Sequence, residues 1–129
     1  MKALSIAALA GASILIAGSV YAASLPAEIA NARTHANNAA NATTIDSAHA
    51  HMHHAINCLA GPKGEGYDAS QMNPCANAGD GAITDQTDAA KKAKLESAKA
   101  TLMKGLALTD LKAAQDSAKM AVTDISAGS

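Results

Sequence analysis

The sequence predicts an all-α fold: an up-down four-helix bundle made of two antiparallel hairpins joined by a long loop. Three observations lead to it. Of 129 residues, 34 are Ala and only three are Pro, the strongest helix former and the strongest breaker respectively. Apolar residues recur at helical spacing in four runs, which are separated by a short break, a long Gly- and Asn-rich stretch and a second short break. Two cysteines, Cys58 and Cys75, stand where they can pin the long stretch. The length suits one small domain and no second core.

Residues 1–22 read as a secretory signal. Lys2 precedes an apolar run from Ala3 to Val20, and Val20-Tyr21-Ala22 offers a cleavage site after Ala22. A retained anchor is the alternative, because the run approaches the ~20 residues a span requires. Gly11, Gly18 and three serines weaken it. Position 23 is Ala, so no cysteine is there to take a lipid. The expected domain is 23–129, periplasmic or secreted, with no membrane attachment after cleavage. In such a compartment Cys58 and Cys75 are expected to form a disulfide. The alternative for Cys58 is a thiolate metal ligand.

The first helix is predicted from Leu25, Ile29, Ala32, Ala36, Ala39 and Ala40, with Pro26 in its first turn. Asn41-Ala42 interrupts it, and Thr43 with Asp46 has capping-box spacing for the second helix. There Ile45, His49, Met52, Ile56 and Leu59 form a seam, and Gly61-Pro62 ends it. Residues 61–84, with five Gly and two Pro, read as loop. Asp68, Asn73, Asn77 and Asp80 do not fit a calcium loop and read as turn formers. Thr84 or Asp85 is expected to cap a third helix reaching Lys104, with Gly105 just past its end. Thr109 is expected to cap a fourth, whose seam is Leu111, Ala114, Ala118, Val122 and Ile125. Lysines 91, 92, 94, 99 and 104 read as a solvated face.

Ten basic against eleven acidic residues, with no Trp or Phe, give no electrostatic or stacking reason to expect nucleic acid as a partner. No nucleophile is paired with a general base, so an enzyme is not expected. Glu28 and Asp46 read as acids in the first turns of their helices.

The candidate chemistry lies in the histidines, all five of which fall between positions 35 and 54. His49 and His53 are spaced i, i+4 and border the seam that contains Met52; such a pair can hold one metal ion. If the chain turns near Ala42, His35 stands level with His49, and His35, His49 and His53 with Met52 would form a mixed nitrogen–thioether site. A second constellation, His51, His54 and Cys58, lies on the opposite side of the same helix. Soft sulfur with imidazole favours copper, and imidazole alone suits zinc, copper or nickel. A transition metal ion, copper or zinc, is therefore the expected cofactor and partner, in a sequestering, buffering or delivery role. The alternative is a ligand-free bundle that binds partners through an amphipathic groove.

The run from His49 to Pro62, together with Thr34-His35-Ala36, Asn73-Pro74-Cys75 and Gly79 to Ile83, resembles small exported bacterial helical proteins with no assigned activity. In architecture alone the chain is also similar to periplasmic four-helix b-type cytochromes, whose Met and His haem ligands sit on the terminal helices. The fourth helix here has no His and the chain has no Cys-x-x-Cys-His, so haem is the weaker expectation.

Overall fold

The computed structural model describes residues 24–129, and the expected signal, 1–22, lies outside the described residues. These form an all-α structure of five helices, with no strand among the described residues: α1 (Leu25–Ala40), α2 (Ile45–Ala60), α3 (Ala82–Asp85), α4 (Ala89–Leu106) and α5 (Leu111–Ala127). Four are long and correspond to the four predicted runs. The fifth, α3, is a single turn inside the segment read as loop.

Helix boundaries follow from local chemistry. Pro26 occupies the first turn of α1, where its missing N–H costs nothing. The break comes at Asn41, whose side chain donates to the Asn37 carbonyl at 2.8 Å. Thr44, rather than the expected Thr43, caps α2: its hydroxyl accepts the Ser47 N–H at 3.2 Å. Gly61 ends α2 at φ 67°, and a Cβ there would lie 1.8 Å from the Asp80 carbonyl oxygen. The two ends of the loop therefore touch through backbone, at Gly61 and at Asp80-Gly81.

Three further starts and stops differ from expectation. α4 begins after Asp88, whose carboxylate accepts the Lys91 N–H at 2.9 Å, and not after Thr84 or Asp85. Gln86 holds the chain extended just before it: its Nε2 donates to the Gly128 carbonyl and its Oε1 accepts the Asp88 N–H. α5 begins after Asp110, which accepts the Ala113 N–H at 2.8 Å, and not after Thr109. At α5 the charged cap prevails over the neighbouring Thr109, as an anion at the positive end of the helix dipole should. Gly105 lies within α4 rather than beyond it. A Cβ there would meet Met52 Sδ at 2.9 Å and Ser117 Cβ at 3.2 Å, so this glycine permits close packing and is not a stop.

α1 packs on α2 and α5, α4 packs on α5 and α2, and α2 makes a smaller contact with α5. Met52, Ile56, Leu59, Leu95, Leu102 and Ile125 are the largest fully buried apolar side chains. Alanines fill most of the remaining core, among them Ala32, Ala36, Ala39, Ala48 and Ala55. Cys58 and Cys75 form the expected disulfide. Their bond anchors the middle of the loop to the last turn of α2, and Cys75 Sγ lies 3.9 Å from the Glu28 carbonyl oxygen of α1. No helix among the described residues is long and apolar enough to cross a membrane.

Candidate metal centre

The rotation of α2 about its axis decides which histidines meet. At ~100° per residue, His51, His54 and Cys58 fall within a stripe about 60° wide, and Met52 and Ile56 lie outside it. Met52 is buried against Gly105 of α4. His49 Nε2 donates to the Leu108 carbonyl, in the turn between α4 and α5, at 3.0 Å. With that side of α2 directed at the second helix pair, the His51–His54–Cys58 stripe faces α1.

His35 of α1 meets this stripe. Its Nδ1 lies 3.2 Å from His51 Nδ1, and its ring centroid lies 5.4 Å from that of His51 and 5.0 Å from that of His54. The His51 and His54 centroids are 5.6 Å apart, with the rings nearly perpendicular. One ligand atom from each of the three lies within 4.8 Å of the others. A tetrahedral ion with nitrogens at ~2.0–2.1 Å requires nitrogens roughly 3.3 Å apart, a spacing the His35–His51 pair already has. Among the described residues no other three His, Cys, Asp or Glu side chains converge in this way.

The electrostatics suit a cation. Burial, followed by the nearby His54 and His51, pulls the His35 pKa below the ordinary imidazole value. Burial, followed by His51 and His53, does the same for His54. Both rings are thus held neutral, the form in which imidazole ligates. His54 Nδ1 is buried and has no hydrogen-bond partner. Native interiors rarely leave such an atom unpaired without a functional reason.

The expected grouping of His35 with His49, His53 and Met52 is not the one that forms. His49 is committed to Leu108, and Met52 is core. His53 Nδ1 stands 3.7 Å from Asp68 Oδ2 in the loop. Cys58 lies on the stripe with His51 and His54, but its sulfur is held in the disulfide.

Two residues near the site carry more than the sequence suggested. Glu28, read as an acid of the first turn of α1, is in that turn and is fully buried. Its Oε1 accepts the Gly81 N–H at 2.9 Å, and its Oε2 is buried without a partner. Burial, together with Asp85 and Asp80 and against the Gly81 hydrogen bond, pushes its pKa up to about 7. Asn57 organises the loop. Its side-chain nitrogen donates to the carbonyls of Asp68 and Met72 at 3.0 and 3.1 Å, and its oxygen accepts the Asp68 N–H at 2.9 Å. Asn57 is fully buried in the last turn of α2, and a polar residue flanked by Ile56 and Cys58 was the one signal for it in the sequence.

No family model, curated protein or solved structure matches the chain. Function is therefore read from the geometry of this site.

Proposed function

We propose that the protein binds a transition metal ion, zinc or copper, through His35, His51 and His54. It acts outside the cytoplasm as a sequestering, buffering or delivery protein and not as an enzyme. The observation that carries this reading is the convergence of three imidazoles, one of which, that of His54, has a buried Nδ1 with no hydrogen-bond partner. The Cys58–Cys75 disulfide supports an oxidising compartment. The run of neighbours α1–α2–α4–α5, closed by α1 on α5, supports the up-down arrangement of two antiparallel hairpins. In that arrangement ligands from α1 and α2 stand at one level.

Thermal unfolding of the oxidised protein at neutral pH, with and without zinc or copper, tests the reading. Metal in hundredfold excess over its dissociation constant adds about 2.7 kcal/mol to stability, which raises the Tm by several degrees. The rise disappears in the His35→Ala/His51→Ala/His54→Ala variant and survives in His49→Ala/His53→Ala. A Tm that ignores micromolar zinc and copper returns the protein to the ligand-free class.

A further inference from the structure

Three imidazoles leave a zinc or copper ion one ligand short, because such ions in nitrogen sites take four. We infer that the fourth coordination position of the His35–His51–His54 centre is filled from outside the chain, by a monodentate anion, or by water when no anion is supplied. The inference rests on the metal reading above and goes on to ask what completes the site.

Among the described residues no fourth ligand converges on the centre. Cys58, the nearest sulfur on the stripe, is bonded to Cys75. Met52 lies on another side of α2, with its thioether against Gly105. Glu28 is turned to the Gly81 amide, and Asp68 accepts both the backbone N–H and the hydroxyl of Ser70. No carboxylate belongs to the group that converges with the three imidazoles. Each of the three histidines is partly exposed, so the centre borders solvent.

Charge then selects the class of the incoming ligand. Three neutral imidazoles leave the full charge of a divalent ion uncompensated. Apart from the buried Glu28, the only charged side chains on α1 and α2 are Arg33 and Asp46. With no acid at the centre, the ion's own charge dominates the local field and favours an anion over a neutral donor. Without sulfur among the ligands the case for monovalent copper weakens, and an all-imidazole set suits divalent zinc or copper. A centre completed from outside can exchange that ligand, and exchange is the chemical step by which an ion passes to a receiving carboxylate or imidazole. A closed four-ligand site must first give up one of its own side chains.

Cobalt(II), which takes up zinc geometries and is coloured, supplies the test. The oxidised protein is loaded with cobalt in chloride-free buffer and titrated with azide while the visible d–d bands are recorded. The bands are expected to shift saturably, with one azide per bound cobalt, in the parent and in His49→Ala/His53→Ala alike. Bands that azide leaves unmoved while cobalt stays bound would mean that the chain fills all four positions; this overturns the inference and leaves the metal reading standing. Failure of cobalt, zinc and copper all to bind overturns both.

Discussion

The α1–α2 pair and the α4–α5 pair are built to similar lengths, 16 and 16 residues against 18 and 17, and they treat polar side chains in opposite ways. On α4 and α5 the charged groups stay out of the core, and several find partners at the surface. Lys112 and Lys119 flank Asp116, while Lys94 and Ser97 both reach Asp124. On α1 and α2 polar groups are drawn inward, and some are left incomplete. Glu28 Oε2 and His54 Nδ1 are the buried side-chain atoms without a hydrogen-bond partner among the described residues, and both belong to this pair. A surface ion pair contributes little to stability and little to function. A buried polar atom left unpaired costs free energy, and that cost persists where another role offsets it. The incompletely paired buried groups thus belong to the first pair, which also holds the three histidines of the proposed centre.

Perturbing each half in turn sharpens or breaks this contrast. The largest effect is expected from Cys58→Ser/Cys75→Ser, which releases the loop from α2. With a sequence separation of 17, the chain-entropy estimate is a loss of about 3 kcal/mol, measurable as a lower midpoint in urea. Next comes Asn57→Ala, which strands the carbonyls of Asp68 and Met72 and the Asp68 amide. A loss of about 2–3 kcal/mol is expected, with faster amide exchange confined to the loop. A uniform rise in exchange throughout the protein would contradict the local role given to Asn57.

A smaller effect, with a distinctive sign, should appear in the pH dependence of the metal-free protein. His35 and His54 titrate below their ordinary value of 6.5 in the folded state. The unfolded chain therefore takes up those protons first, and stability falls as pH drops below 6.5. Glu28 works the other way. Its folded pKa is raised from 4.5 to about 7, so its contribution is complete below pH 4.5 and is lost as pH rises through 7. Glu28→Gln, which keeps an acceptor for Gly81 but cannot ionise, should match the parent near pH 4 and exceed its Tm at pH 8. His35→Ala/His54→Ala should flatten the acid limb. Both changes fall in the first pair. The smallest effect belongs to the second: Lys112→Ala should leave both the unfolding midpoint and metal binding unchanged, and a clear loss of either would undo the contrast.

Much of this was legible in the sequence, and the rest was hidden for identifiable reasons. The four runs of apolar spacing, Gly61 as a stop and the paired cysteines are local signals, and each appears in the structure. Helix starts were harder where cap-competent residues crowd together. Thr84, Asp85 and Asp88 lie within five positions, and Gln86 decides among them by reaching Gly128, far away in sequence. The histidine cluster was legible as a cluster but not as a site. Spacing on α2 establishes that His49 and His53 share one side and that His51 and His54 share another. Which side faces α1 depends on Met52 settling against Gly105 and on His49 reaching Leu108, contacts with residues more than fifty positions away. Glu28 does lie in the first turn of α1, but its burial was hidden for the same reason, since its partner Gly81 is 53 residues distant.

The alanines at the α1–α2 seam have a further consequence. Ala32, Ala36 and Ala39 on one helix, and Ala48 and Ala55 on the other, are fully enclosed, and the separation of two packed helices depends on the side chains caught between them. Methyl groups thus act as a gauge for the gap that the imidazoles span. A valine or leucine in that row would widen it, and the bite of the three rings would change with no ring altered, so in the proposed centre selection by ionic radius would rest on positions that never touch an ion.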